Sequence, residues 1–260
     1  MVLNLRRKPF KIDIVIPVYN EADNVKTVLR SILDTLEGEN AFSFQILIVN
    51  DGSTDDSTLL ITEFLRERPC KKIPILLLEN DINIGTARTM LRLFKVAVSN
   101  HPDMVIKLDM DYDFSHEEVL LKFFNRIQSV SFCPISTILV GIRIIPSEKK
   151  MTFYEQARKR RTDEILIDKF GLENYDPVSG GTQLYPLPIL EEIINIDIVK
   201  TYNLRWGVDV LLPLLARKTG FQLETIPIYN SRYSFDRRSD LKVKSQYDAF
   251  TAVFELIHSS

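Results

Sequence analysis

The sequence predicts an α/β protein with a mainly parallel central sheet flanked by helices, and two observations support this. Short, almost continuously apolar segments alternate with longer segments whose apolar residues recur at helical spacing. Strand–helix–strand units of this kind connect right-handedly into one parallel sheet, whose strands are covered on both faces. The second observation is that polar, turn-forming residues follow the predicted strands at their carboxyl ends, where open parallel sheets bind ligands.

The first half of the chain contains four predicted strands, each followed by a helix. Pro17 is predicted to end the first strand, because proline cannot donate a backbone hydrogen bond to a central strand. Ser115 is the predicted N-cap of the fourth helix. The strands are predicted at residues 11–16, 44–49, 75–78 and 104–108, and the helices at 23–36, 57–66, 87–98 and 116–127.

The second half is less regular, and residues 176–182 are predicted to form a flexible turn. The sequence contains no internal repeat, low-complexity tract or linker, so residues 1–260 are predicted to form one compact domain. Strands are predicted at 138–145 and 221–228, and helices at 152–169, 207–218 and 242–258.

Composition limits the class of protein and the partners. The hydrophobic fraction of 45% and the charged fraction of 26% are those of a globular protein, and the net charge of −2 favours no nucleic acid partner. The two cysteines, Cys70 and Cys133, form no framework, which favours a reducing compartment. No segment approaches about 18 uninterrupted apolar residues, and the N-terminus has no apolar signal region. A cytoplasmic protein is therefore expected.

An acidic segment at residues 107–113 organises the predicted site. Asp109, Asp111 and Asp113 occupy alternate positions directly after an apolar strand, so an extended backbone would direct them to the same side. Three neighbouring carboxylates repel one another unless a cation neutralises them, and hard oxygen ligands favour Mg²⁺ or Mn²⁺. The alternative is a solvated acidic turn before a helix. Three further polar loops, at residues 19–21, 51–53 and Gly85, are expected at the same edge of the sheet, which favours a binding site.

Three motifs carry a resemblance to a known family. P-V-Y-N-E at 17–21, N-D-G-S-T-D at 50–55 and D-M-D at 109–111, in this order, resemble the family 2 inverting glycosyltransferases of GT-A fold. The resemblance implies a nucleotide-sugar donor, a divalent cation, and a Rossmann-like nucleotide-binding half (about 10–115) before an acceptor half (about 116–260). It also implies roles for individual residues: Pro17, Tyr19 and Glu21 line the nucleotide pocket, Asp51 reads the base, Asp109 approaches the ribose and diphosphate, and Asp111 binds the metal.

Further motifs resemble polyprenyl-phosphate (dolichol-phosphate) hexosyltransferases. These are G-T-A at 85–87, G-I-R at 141–143, D-P-V-S-G at 176–180 and E-T-I-P-I at 224–228, and Asp113 falls where some members have a further metal ligand. The resemblance places Gly85 with the nucleotide-sugar donor, and Ser179 and Gly180 with the acceptor. Gly181 and Thr182 replace an F-R pair, residues 232–239 replace R-x-x-G-x-S-K, and two residues are inserted before His116. These departures leave the acceptor open.

Several residues have two interpretations. Asp209 is either a general base or a helix N-terminal acid interacting with the dipole. Trp206 either stacks on a sugar or packs, and His116 either begins a helix or binds the metal. The arginines that follow the last strand, Arg232, Arg237 and Arg238, either bind phosphate or form a solvated loop. Arg143, within an apolar segment, pairs with a core carboxylate or a bound phosphate.

The sequence favours transfer of a hexose from a UDP- or GDP-sugar to a polyprenyl or dolichyl phosphate. The first alternative is transfer to a hydroxyl of a glycan or small metabolite with Asp209 as base, and the second is an inactive nucleotide-binding scaffold. A lipid acceptor requires a membrane partner subunit or peripheral docking at the cytosolic membrane face, for which the basic residues 158–161 are candidates. The last predicted helix is interpreted as a core or homodimer contact, with a membrane anchor as the alternative.

Overall fold

A computed structural model describes residues 9–68, 72–111, 115–143, 181–194, 203–205, 207–229 and 251, with only the backbone of Arg143. These residues form one sheet of seven strands with six helices. The strands are β1 (Phe10–Val18), β2 (Phe42–Asp51), β3 (Ile75–Asn80), β4 (Met104–Lys107), β5 (Thr137–Arg143), β6 (Thr182–Pro186) and β7 (Gln222–Ile228). The helices are α1 (Val25–Glu37), α2 (Ser57–Glu67), α3 (Thr86–Ser99), α4 (His116–Ile127), α5 (Leu187–Ile193) and α6 (Val208–Lys218).

The strand order is β3-β2-β1-β4-β6-β5-β7. The chain builds β1, β2 and β3 outward in one direction, then returns through α3 to place β4 on the other side of β1, parallel to it. The carboxyl ends of β1 and β4 therefore lie at a topological switch point, where open α/β sheets bind ligands. β6 is antiparallel to both of its neighbours, so the sheet is mixed but mainly parallel.

Alternate side chains of the central strands fill two separate cores. Ile14 and Ile16 of β1 face the layer that contains α1, α2 and α4, whereas Val15 faces the layer that contains α3, α5 and α6. The period of two in the strand and the apolar stripes of the helices thus produce a three-layer arrangement. Because both faces are covered, β1, β2 and β4 each contain an uninterrupted run of apolar residues, as the sequence predicts.

The predicted turn at 176–182 is wrong at its last residue. Thr182 begins β6, and neither β6 nor α5 was predicted from the sequence. The cause is that β6 reads T-Q-L-Y-P, with polar residues that are nevertheless buried, so neither alternation nor an apolar run indicates a strand. The predicted helices 152–169 and 242–258 lie outside the described residues.

Pro17 does not end β1, contrary to the prediction. The strand continues to Val18, and Pro17 lies opposite Val49 of β2. The carbonyl of Val15 points towards β4 and accepts a hydrogen bond from the N–H of Leu108, directly after β4. The pairing of β1 with β4 stops at Val15. Pro17, two residues later, directs its nitrogen to that same side beyond the last paired residue, so no ladder hydrogen bond is lost.

Asp13 is a buried carboxylate in β1 that the sequence analysis does not single out. Its Oδ2 accepts a hydrogen bond from Asn100 at 3.2 Å, but its Oδ1 has no hydrogen-bond partner. Burial raises the pKa of Asp13, against the opposing effects of Asn100 and Lys11. The folded chain thus holds this proton more tightly than the unfolded chain, so the stability contributed at low pH is lost as pH rises from about 4 through the raised value.

Asp13→Asn is expected to stabilise the protein at pH 7 by about 1 kcal/mol, because it removes a buried charge while keeping the shape of the side chain. Urea unfolding between pH 4 and 7 should show a smaller decrease of stability with pH than in the unsubstituted protein. Asp34→Asn, on the exposed face of α1, is the control and should change little. Equal pH dependence with and without the Asp13 carboxyl would contradict this assignment.

Candidate functional site

A cavity of about 450 Å³ opens at the carboxyl ends of β1, β2 and β4. It lies at the switch point, and residues from all four polar loops or their immediate neighbours contribute to its wall. Six of the seven residues predicted to bind the nucleotide-sugar donor line it; Gly85 does not, although its neighbour Thr86 does. The lining residues are Pro17, Val18, Tyr19, Asn20, Glu21, Asp51, Asn83, Thr86, Asp109, Met110, Asp111, Gly207 and Asp209.

The loops after β1 and β2 are connected by hydrogen bonds. The N–H of Asn20 donates to Ser53 Oγ at 3.0 Å, and the N–H of Glu21 donates to Ser57 Oγ at 2.8 Å. Asn20 itself has a φ of 54°, which asparagine tolerates better than most residues. The serines of the D-G-S-T-D region therefore fix the loop that presents Tyr19 and Glu21 to the cavity, a role that the sequence analysis did not assign to them.

Asp51 holds the loop that follows β3. Its carboxylate is buried and accepts hydrogen bonds from Asn80 Nδ2 at 2.7 Å and from the N–H groups of Ile84 and Gly85, both at 3.0 Å. These bonds fix the position of the loop that contributes Asn83 to the cavity wall. Asp51 thus lines the cavity and also fixes a neighbouring part of the cavity wall.

Gly85 brings the segment before α6 against the start of α3. Its φ is 91°, and a Cβ at this position would lie 2.9 Å from the carbonyl oxygen of Arg205. That carbonyl accepts a hydrogen bond from the N–H of Ala87 at 2.9 Å, and the Arg205 guanidinium donates to Asn83 Oδ1 at 2.6 Å. The segment that leads to Asp209 is therefore anchored to the loop after β3.

Lys107 is a buried cation beneath the cavity. Its Nζ lies 2.8 Å from Asp109 Oδ1 and 3.0 Å from Asp209 Oδ1, and donates to the carbonyl of Gly181 at 2.5 Å. Burial disfavours the ammonium, but the two carboxylates outweigh it and raise the pKa of Lys107 above its ordinary value. Lys107 was not among the predicted site residues, although a lysine at the end of an apolar strand is as informative as Arg143 within one.

Asp209 is held at two points. It occupies the second position of α6, whose N-cap Gly207 has a φ of 84°. Its carboxylate pairs with Lys107, and its backbone carbonyl accepts a hydrogen bond from Gln183 Nε2 at 2.6 Å. Tyr185 donates its hydroxyl hydrogen to Gln183 Oε1 and so fixes the orientation of that amide. Asp209 is therefore both the helix N-terminal acid of one interpretation and part of the cavity wall.

His116 supports the acidic turn through a hydrogen bond. Its Nε2 lies 2.7 Å from the backbone carbonyl oxygen of Asp109, and a carbonyl only accepts, so Nε2 carries the proton. Burial lowers the pKa of His116, which favours the neutral ring. Ser115 accepts a hydrogen bond from the N–H of Glu118, as predicted for the N-cap of α4. Because Nε2 donates, that nitrogen is not a metal ligand, and the helix-start interpretation of His116 is the one the geometry favours.

The carboxylates of the described residues fit a hydrated metal ion. Asp109 and Asp111 line the same cavity, and part of the charge of Asp109 is already balanced by Lys107. Within the described ranges, no group of three or more His, Cys, Asp or Glu residues is arranged to hold a metal. Two carboxylates are too few to enclose an ion with protein ligands. They suit Mg²⁺ or Mn²⁺, which keep several waters and also bind substrate phosphates.

Other predicted site residues lie outside the described residues. They are Asp113, Ser179, Gly180, Trp206, Arg232, Arg237, Arg238 and the side chain of Arg143. Their roles stay predictions. Of the helices in the described part of the chain, none is long and apolar enough to span a membrane.

Several curated proteins are similar to this chain in sequence. Among curated proteins, the chain is 23% identical to the dolichyl-phosphate beta-glucosyltransferase ALG5A of Trichomonas vaginalis, over 84% of this chain and 64% of that protein. It is 26% identical to a dolichol-phosphate mannosyltransferase of Pyrococcus furiosus, over 71% and 52%, respectively. It is 32% identical to an undecaprenyl-phosphate 4-deoxy-4-formamido-L-arabinose transferase of Klebsiella pneumoniae, over 42% and 31%. The matched region thus covers less than two thirds of the length of each relative.

Solved structures share the fold at low sequence identity. The glucosyl-3-phosphoglycerate synthase of Mycobacterium tuberculosis in complex with UDP has a TM-score of 0.64 and is 13% identical, over 94% of this chain and 80% of that one. The Pyrobaculum calidifontis mannosyltransferase PcManGT in complex with GDP-Man and Mn²⁺ has a TM-score of 0.55 and is 11% identical, over 97% and 76%. The predicted GT-A fold is therefore confirmed.

The sequence profile of one family matches most of the chain. It extends over residues 13–192 and therefore includes the motifs at 17–21, 50–55 and 109–111. This range also contains most of β1 and all of β2 and β4, the strands at whose carboxyl ends the cavity opens. The chain belongs to glycosyl transferase family 2.

Proposed function

We propose that this protein transfers a hexose, with inversion, from a UDP- or GDP-sugar to a polyprenyl phosphate. The observation that carries the proposal is the cavity at the switch point, where Tyr19, Asp51, Asp109 and Asp111 come together. Several curated relatives are named as sugar transferases that act on dolichyl or undecaprenyl phosphate, which supports the acceptor class.

In this proposal the nucleotide base lies near Asp51 and the diphosphate near Asp109 and Asp111. These two carboxylates would hold Mg²⁺ or Mn²⁺, which supplies a Lewis acid to the departing diphosphate. Tyr19 and Glu21, fixed by the serines of the second loop, form one wall of the nucleotide pocket. Asn83, fixed by Asp51 and Arg205, forms another.

The ion pair between Lys107 and Asp209 favours a phosphate acceptor over a hydroxyl acceptor. A hydroxyl needs a general base, whereas a phosphate is already an anion and can attack without one. Asp209 is the candidate base, but a buried ammonium lies 3.0 Å from its carboxylate. A neighbouring cation favours the charged form of a carboxylate and so disfavours proton uptake.

The hydroxyl alternative retains one supporting observation, which is that Asp209 lines the cavity beside Asp109. The scaffold alternative gains no support from the geometry, since clustered carboxylates serve no purpose in a protein that only binds a partner. A lipid acceptor would require docking at the cytosolic membrane face or a membrane partner subunit.

A matched pair of lipids tests the acceptor class. The protein is incubated with radiolabelled UDP- and GDP-hexoses and Mn²⁺, and with either polyprenyl phosphate or the corresponding polyprenol in phosphatidylcholine vesicles. We expect label to be transferred to the phosphate and not to the alcohol, and mild acid to release the sugar from the product. Transfer to the alcohol, abolished by Asp209→Asn, would instead contradict the phosphate acceptor and favour a hydroxyl acceptor with Asp209 as base.

A further inference from the structure

We propose that Lys107 is a positioning residue that acts as a resident counter-cation: it balances Asp109 and Asp209 and competes with the divalent ion for Asp109. The inference rests on the proposed function, because it takes Asp109 as a ligand of that ion. It adds a link between Asp109, which would hold the metal, and Asp209, because the ammonium of Lys107 contacts both carboxylates.

The contacts of Lys107 join the two halves of the chain. Its side chain is 1% exposed, and its ammonium contacts one carboxylate of the nucleotide-binding half, Asp109, and one of the acceptor half, Asp209. In the antiparallel pairing of β4 with β6, Lys107 lies opposite Gln183. Both of these paired residues contact Asp209: Lys107 pairs with its carboxylate, and Gln183 donates to its backbone carbonyl.

Competition follows from the charges. A divalent ion on Asp109 would be repelled by an ammonium 2.8 Å from that carboxylate, so Lys107 should weaken metal binding. As the metal takes charge from Asp109, Lys107 should pair more strongly with Asp209. If the lysine is removed, the negative charges of Asp109 and Asp209 repel one another. A bound metal would then be the main positive charge that balances them.

Opposite changes in Mn²⁺ affinity are the signature of this arrangement. We expect Lys107→Met to bind Mn²⁺ at least about fivefold more tightly than the unsubstituted protein in the absence of nucleotide, because a nearby positive charge is removed. Lys107→Arg, which keeps the charge, should stay near the unsubstituted value. Asp209→Asn should bind Mn²⁺ more weakly, because a negative charge near the site is lost and the ammonium of Lys107 then pairs more strongly with Asp109.

Calorimetry on the full chain measures these affinities, with and without UDP, and thermal unfolding in EDTA or Mn²⁺ provides the second readout. Lys107→Met should melt at a lower temperature in EDTA and recover most of the loss in Mn²⁺. Lys11→Met is the control, since Lys11 is half-buried and donates to the Asn100 carbonyl at the other end of the sheet. Any loss it causes should be the same in EDTA and in Mn²⁺.

The Mn²⁺ affinities of the variants decide whether Lys107 competes with the metal. Mn²⁺ affinity that is unchanged or weaker in folded Lys107→Met overturns the inference and leaves the proposed function intact. If Lys107→Met does not fold even in Mn²⁺, then Lys107→Arg and Asp209→Asn decide: equal affinities in both would overturn it. No Mn²⁺ binding by the unsubstituted protein, with or without UDP, would overturn the metal assignment of the proposed function together with this inference.

Discussion

Gly85→Ala is expected to destabilise the protein by about 2–5 kcal/mol, from backbone strain and overpacking together. Gly85 has a φ of 91° and a ψ of 147°, a conformation that is almost restricted to glycine. The added Cβ would also lie 2.9 Å from the Arg205 carbonyl oxygen, and relief of that contact requires the segment that leads to Asp209 to move. Urea unfolding measures the loss, and nucleotide-sugar affinity should fall with it, because Asn83 and Thr86 line the cavity on either side of Gly85.

Gly220→Ala separates strain from the clash. Gly220 has a φ of 96° directly after the end of α6, but a Cβ there would meet no atom within 4 Å. This substitution should cost about 1 kcal/mol, the penalty for a left-handed residue at a helix end, and leave binding unchanged. If the two alanine variants lost equal stability and bound nucleotide-sugar equally well, the contact between Gly85 and Arg205 would not position the site.

Asp111→Asn is expected to reduce turnover by at least about 100-fold while the protein stays folded, since metal stabilisation of the leaving group amounts to several kcal/mol. Asparagine keeps the shape of the side chain but removes the charge that attracts the cation. A transfer assay in Mn²⁺ and circular dichroism measure the two properties.

Asp34→Asn is the control for this substitution, because Asp34 is exposed on α1, away from the lining of the cavity. It should leave turnover unchanged. Retention of full metal-dependent turnover by Asp111→Asn would remove Asp111 from the metal site and shift that role to other acidic residues of the segment.

The regular elements were predictable because their signals are local. The helical spacing of apolar residues in α1 and the N-cap Ser115 of α4 need no knowledge of distant residues, and the structure confirms both. β6 was not predictable in this way, because Thr182 and Gln183 are polar residues buried by their neighbours in the sheet. The continuation of β1 past Pro17 likewise depends on where the pairing with β4 stops.

The site residues likewise divide into those with a local sequence signal and those whose role depends on distant residues. Asp51, Asp109 and Asp111 stand out in the sequence as motif residues at strand ends. Lys107 acquires its role through Asp209, which lies 102 positions later in the chain and is brought to it by α6. A buried lysine is therefore recognisable from sequence as unusual, but its partners follow only from the tertiary structure.

Binding of the nucleotide-sugar donor is the most direct test of the cavity at the carboxyl ends of β1, β2 and β4 as the donor site. A panel of UDP- and GDP-sugars is titrated by calorimetry into the full chain, first in Mn²⁺ and then in EDTA, with folded protein verified by circular dichroism. We expect the sugars of one nucleotide to bind and EDTA to weaken this binding strongly, because Asp109 and Asp111 then lack the ion that would join them to the diphosphate. Failure of every nucleotide-sugar to bind folded protein would contradict both the proposed transfer and the nucleotide-binding scaffold.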